Sequence, residues 1–370
     1  MIYPDNFEQK IGFNEIRNML RERCLSTLGK EQVEKMAFSD DAEQVNEWLK
    51  QVREFRRLIL EVEDFPLQYF YDVRESIVRI RIENTHLEEN ELFDLRRSLS
   101  TIDSIVKILN HSDEDESHAE VNDGWRREKK YTYPSLHLLA KDIVTFPQIV
   151  QRIDQILDKF GKIRDNATPE LLQIRRELAK TEGSISRTLY SILRSAQSEG
   201  VVEKDVTPTL RDGRLVIPVI PTLKKKIKGI VHDESATGKT VFIEPTEVVE
   251  ANNRVRELEG EERKEIIRIL TQFTNKLRPY TREIMDSYRF LAKIDLIQAK
   301  QKLAEIQKAI EPEVEDHPHI DWIRAIHPLL QQSLEKKGEK VVPLDITLTQ
   351  DKRILIISGP NAGGKSVCLK

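Results

Sequence analysis

Eight residues near the end of the chain, Gly359, Pro360, Asn361, Ala362, Gly363, Gly364, Lys365 and Ser366, complete the pattern G-x-x-x-x-G-K-S. That spacing suits phosphate chemistry. The glycines let backbone N–H groups close around an anion. Lys365 reaches the β- and γ-phosphates of a nucleotide, and the Ser366 hydroxyl binds Mg²⁺. All eight residues form the expected site for ATP and Mg²⁺. Such a loop follows a strand and opens a helix whose N-terminus faces the phosphates. Residues 353–358, with Ile354, Leu355, Ile356 and Ile357 in a row, are the expected strand. An ordinary glycine-rich turn would not need that apolar lead-in. Hydrolysis also needs a metal-binding acid on a second strand and a group that orients water. Neither lies downstream of the loop, so the expectation is a chain cut off inside its ATPase domain. It should not turn over ATP by itself, and no catalytic residue is assigned.

Asp233-Glu234-Ser235-Ala236-Thr237-Gly238-Lys239-Thr240 imitates the same pattern. Asp233 stands where the first glycine belongs and would repel phosphate, and the residues after Thr240 read as a strand. A hairpin turn is expected, with Lys239 available to a nucleic-acid backbone. Lys224, Lys225, Lys226 and Lys228 form a basic cluster, with Arg211 and Arg214 nearby in sequence. Convergent cations of this kind suit phosphates and read no bases. A solvated loop is the plain alternative, and the cluster's place at the tip of an arm favours nucleic-acid contact. His317-Pro318-His319 offers two imidazoles with no third ligand at metal-site spacing, so no metal is expected there. His327 reads as a packed or capping residue. No Ser/His/Asp or Cys/His arrangement is legible.

The elements that position these residues are mostly helices. Of the 370 residues, 33% are charged and only 6% aromatic, a balance that suits long solvated helices. The net charge of −4 carries no global nucleic-acid signal, so any such site is a local patch. Cys24 and Cys368 read as free thiols in a reducing compartment. No targeting segment and no apolar run of membrane length is present, which points to a cytoplasmic protein.

Up to about residue 110, three apolar stripes mark helices: Ile11/Ile16/Met19/Leu20, Trp48 to Leu60, and Leu92/Leu95/Leu99/Ile102/Ile105/Leu109. Residues 111–130 turn acidic and then basic and read as an exposed insertion. A helical pattern resumes over 146–160. Thr168-Pro169-Glu170 is a helix start, and the helix runs to about Gly200, on the order of 45 Å. Asp212-Gly213 signals a hairpin between strands at 206–211 and 214–220. Pro218 and Pro221 mark the second of these as an edge strand. Further strands are expected at 227–231 and 240–243. A helical pattern then fills some 60 residues from Glu247, to Glu311-Pro312, before a strand near 341–348. A long helix, a small β tip and a return helix make an antiparallel arm.

Within this frame the motifs become specific. Arg211-Asp212-Gly213-Arg214-Leu215-Val216-Ile217-Pro218 resembles a stretch of the second bacterial branch of the MutS family. So does the run from Gly229-Ile230-Val231-His232 to Phe242-Ile243-Glu244-Pro245. Asn252-Asn253, Glu261-Glu262-Arg263, His327-Pro328 and the P-loop follow in the family's order, and the likeness covers the chain from about residue 5. The resemblance implies a mainly α fold with a small β clamp and the first strands of an α/β ATPase domain of ABC type. It divides the chain into a helical core (1–167), an ascending lever helix (168–200), the clamp (201–246), a descending lever helix (247–312), and a connector leading into the ATPase domain (313–370).

The resemblance also implies dimerisation through the ATPase domain, a C-terminal Smr nuclease domain in full-length members, and adenine contacts near Val341, Val342 and Pro343. Two functions fit it: an ATPase clamp that binds branched DNA and suppresses homologous recombination, or a factor that grips stalled or collided ribosomes through rRNA. Mismatch-reading relatives wedge an aromatic from a Phe-x-Glu motif into DNA. Here Phe13-Asn14-Glu15 falls on a core stripe and Phe242-Ile243-Glu244 in a strand, so no wedge is expected.

Overall fold

The computed structural model describes residues 6–68, 70–112, 130–359 and 364–365. The insertion at 113–129, Pro360 to Gly363, Ser366 and Cys368 lie outside them. The helices are α1 (Phe7–Ile11), α2 (Phe13–Arg23), α3 (Thr27–Glu34), α4 (Ala42–Glu61), α5 (Arg74–Arg79), α6 (Glu89–Leu109), α7 (Pro134–Ala140), α8 (Pro147–Ile156), α9 (Pro169–Ser198), α10 (Thr246–Leu277), α11 (Thr281–Gln307) and α12 (Pro328–Glu335). The strands are β1 (Thr209–Arg211), β2 (Arg214–Val219), β3 (Gly229–Glu234), β4 (Val241–Pro245), β5 (Ile320–Ala325) and β6 (Leu344–Leu348). The fold is mainly α with small antiparallel sheets, and no described helix is long and apolar enough to cross a membrane.

Two compact units are present. One comprises Met1–Val78, Asp94–Pro147 and Tyr280–Lys370; the other comprises Arg79–Phe93 and Gln148–Pro279. In the first, α11 packs against α2, α3 and α4. The α6 stripe is fully buried, as its spacing requires, whereas Leu60 on α4 is exposed. Asp295 of α11 is completely buried and caps the start of α3. Its carboxylate accepts from Leu25 N (2.8 Å), Ser26 N (3.0 Å) and Ser26 Oγ (2.6 Å). Gly29 follows because a Cβ there would lie 2.3 Å from Asp295 Oδ2. Cys24 is buried beside this joint, and burial pushes its thiol up to about 12, so it is inert.

In the second unit α9 and α10 run antiparallel. Thr168 caps α9 and donates to Glu265 (2.7 Å), Arg175 pairs with Glu262 (2.7 Å), and Arg254 pairs with Glu177 (2.9 Å). The four-stranded sheet has the order β1-β2-β4-β3, all antiparallel.

Three expectations need correction. The strand holding Pro218 is not an edge but lies between β1 and β4. Pairing with β1 stops at Val216, so the proline's missing N–H falls where no partner is needed. The return helix is two helices, α10 and α11, separated by a 3₁₀ turn at Arg278–Tyr280. Pro279 supplies the break, since it cannot donate within a helix and its ring clashes with the preceding turn. Residues 353–358 form no strand, and Ile354 and Ile356 are 85% and 86% exposed. An apolar run becomes a strand only when a neighbouring backbone takes its N–H and C=O groups, and the described residues supply none. The α7 helix and β5 carry weaker patterns and are additions to the sequence reading.

Replacing Asp295 with alanine leaves two backbone N–H groups at a helix start without an acceptor. We expect Asp295→Ala to destabilise the protein by about 2–4 kcal/mol in denaturant unfolding, with far-UV circular dichroism of the remaining folded protein unchanged.

Candidate nucleic-acid interface and nucleotide loop

The four-stranded sheet is built on Glu244. Every residue of β4 is buried, Glu244 included. A buried carboxylate must be paired, and here three elements supply the partners. Arg214 on β2 donates through Nη1 to both oxygens, at 2.7 and 2.9 Å. His232 Nε2 on β3 lies 2.5 Å from Oε2. Asn252 on α10 donates to Oε1 at 2.7 Å. Arg214 also donates to Asn253 Oδ1 at 2.6 Å. Burial pushes the Glu244 carboxyl up, and the hydrogen bonds from Arg214, Asn252 and His232 outweigh it, so its pKa lies below the ordinary value. Gly229 completes the joint. A Cβ there would stand 2.1 Å from the Glu244 carbonyl oxygen.

Beneath the network is an apolar core: Ile185, Leu189 and Leu193 of α9, Ile217 and Val219 of β2, Val241 and Ile243 of β4, and Val248 and Val255 of α10. The β1–β2 hairpin turns on Asp212 and Gly213, both at positive φ (47° and 72°), as a two-residue turn of this twist requires. Arg256 donates to the Asp212 carbonyl.

The structure sorts the expected contact residues into two sets. Arg214 is only 14% exposed and committed to Glu244. Arg211 is half exposed; its guanidinium lies 4.3 Å over the buried Phe242 ring, with Asp233 at 3.8 Å. Lys224, Lys225, Lys226 and Lys228 are all exposed. They stand on and just after the 3₁₀ turn Pro221–Lys226, while Leu223 and Ile227 turn inward to the core. Lys239 is exposed in the β3–β4 connection. That connection is a hairpin turn closed by Ser235 N to Thr240 O (2.8 Å) and Gly238 N to Ser235 O (2.7 Å), and it leads into β4, not a helix. The phosphate-loop look-alike is therefore a turn. Sequence reasoning missed Glu244, His232, Asn252 and Asn253 as one network. Their signal was present, because all four fall inside the runs that carry the resemblance.

At the nucleotide loop, Gly359 and Gly364 take φ of 146° and 82°, closed to L side chains, and Lys365 follows at once. Pro360, Asn361, Ala362, Gly363 and Ser366 lie outside the described residues. His327 caps α12, its Nδ1 accepting from Leu330 N at 3.4 Å. Phe242 is buried, and Phe13 opens α2 with Arg17 over its ring.

No family model matches the chain. Among curated proteins it is 34% identical over 358 residues to Endonuclease MutS2 of Geobacillus sp. (strain WCH70), covering 97% of this chain and 43% of that protein. It is 35% identical over 358 residues to Endonuclease MutS2 of Levilactobacillus brevis, with the same coverage. For that of Enterococcus faecalis the figure is 30% over 360 residues, again 97% and 43%. The chain thus spans less than half the length of the curated relatives it matches.

Removing Arg214 leaves Glu244 buried without its main partner. Arg214→Ala should cost about 3–5 kcal/mol. Because the Glu244 pKa is depressed in the folded state, its contribution is present above the ordinary carboxyl value. It fades as pH falls through the lower folded value. Wild type should lose stability over that acid window, and Glu244→Gln should flatten the loss; urea unfolding of both across the pH range checks this.

Proposed function

We propose that this chain, a member of the MutS2 family over 97% of its length, grips nucleic acid through the four-stranded sheet between α9 and α10. The observation that carries this reading is the exposure of Lys224, Lys225, Lys226 and Lys228, with Lys239 exposed in the β3–β4 turn at the other end of β3. Arg214 is held by Glu244 and Arg211 lies over Phe242 beside Asp233, so the lysines provide most of the mobile, solvated charge. Lysine ammonium groups neutralise phosphates without reading bases, which suits recognition by charge and shape.

In this proposal α9 and α10 are lever helices and the sheet is a clamp. Residues 359–366 bind ATP and Mg²⁺ in an ABC-type ATPase domain that the longer relatives would complete. Dimerisation through that domain, and branched DNA as the target in suppressing recombination, belong to the same reading. Catalytic turnover would need groups supplied beyond these residues. Burial of Phe242, in the Phe-x-Glu match within the sheet, supports indifference to single mismatches.

The test is charge reversal of the four clustered lysines to glutamate in the full chain. Binding to duplex and four-way-junction DNA should weaken on every sequence alike. The log–log salt slope should flatten by roughly one unit for each phosphate no longer neutralised. An unchanged slope would show the cluster to be a solvated loop. Folded RNA run as a competitor reports whether DNA is the preferred ligand; tighter binding to rRNA than to junctions would overturn the DNA reading.

A further inference from the structure

In the unit that holds α11 and β5, three metal-ligating side chains meet. Glu315, His317 and His319 offer one donor atom each, and these atoms all lie within 4.8 Å of one another. His317 Nε2 is 3.1 Å and His319 Nδ1 is 3.5 Å from the same oxygen, Glu315 Oε2. The two imidazole planes are nearly parallel, 7° apart, with centroids separated by 5.8 Å. Ligand bonds of about 2.0–2.1 Å in a tetrahedral zinc site put neighbouring donors about 3.3–3.4 Å apart. Two of the three donor–donor edges are already close to that length.

The backbone explains the convergence. A bend over 316–318 brings positions 315 and 319 together. Pro318 restricts His317, the residue before it. Both ends of the segment are held. Asn46 Nδ2 donates to the Val314 carbonyl at 2.8 Å, and Ile320 begins β5, paired with Leu348. The segment is tied again upstream, where Glu311 meets Arg53 at 3.7 Å. A ligand set on a span fixed at both ends loses little chain freedom on binding.

In the sequence, His317 and His319 lack a third ligand. The structure supplies it in Glu315, whose spacing of two and four residues to the histidines works only because the chain bends. We propose that Glu315, His317 and His319 form a divalent transition-metal site that takes zinc and locks the connector between α11 and β5. Two imidazoles and a carboxylate suit zinc. All three side chains are part-exposed, so the fourth position is open to water.

The test uses the full chain, stripped with chelator and titrated with zinc chloride, then with cobalt chloride to read tetrahedral absorption bands. One equivalent should bind. Hydrogen exchange should slow over 315–320 on binding. His317→Ala and His319→Ala should each weaken affinity about tenfold or more, and Glu315→Gln should also weaken it. His86→Ala is the control, since among the described residues His86 has one carboxylate paired with it, Glu88 at 3.4 Å. It should bind as wild type does. Failure to bind in the low-micromolar range would overturn the proposal, as would equal zinc uptake by the His317/His319 double variant. Binding without slowed exchange over 315–320 would overturn the locking role. Circular dichroism of each variant confirms that it is folded.

Discussion

A fully buried carboxylate governs the four-stranded sheet. Glu244 reaches Arg214 on β2, His232 on β3 and Asn252 on α10, so one side chain ties three elements to β4. Burying a charge is costly unless its lone pairs are filled, and the sheet satisfies that demand by taking an arginine out of solvent. The consequence reaches the surface. Arg214 is withdrawn, and Arg211, though half exposed, lies over Phe242 beside Asp233, whereas the lysines stand exposed on the turns of the sheet. The surface charge that could meet phosphate is what remains after the interior has been paired.

Asp295 plays a comparable part in the other unit. It too is buried, here on a helix, and its partners are the backbone and hydroxyl donors at the start of α3. In both places a single acid joins segments far apart in sequence, and a glycine, Gly29 or Gly229, clears the space beside the joint. Hydrophobic packing supplies the bulk of such units, while these joints fix which segments meet.

Much of the helical fold was legible because its signals are local. Thr168-Pro169 announces the start of α9, Asp212-Gly213 announces the β1–β2 turn, and the seven- and three-to-four-residue spacing on α6 marks its buried face. The look-alike loop at 233–240 was legible as a turn from Asp233 and from the β-branched residues that follow. What the pattern hid was non-local. Pro218 suggested an edge because the sequence cannot say where the pairing with β1 stops. Residues 353–358 have the composition of a buried strand, yet a strand exists only with a neighbour. Arg214 looked like a contact residue because its partner lies thirty positions away. Pro279 was the exception, a local break passed over because the apolar stripe continued on both sides of it.

In the proposed clamp the lysines of the sheet, and not its arginines, meet the nucleic-acid backbone. Lysine footprinting tests it directly. The full chain is treated with an amine-acylating reagent, with and without saturating duplex DNA, and modification at each lysine is read by mass spectrometry. Lys224, Lys225, Lys226, Lys228 and Lys239 should be protected when DNA is bound. Exposed lysines elsewhere, such as Lys10 and Lys50, should react equally in both samples. Equal reactivity of the sheet lysines in free and DNA-saturated protein would contradict it.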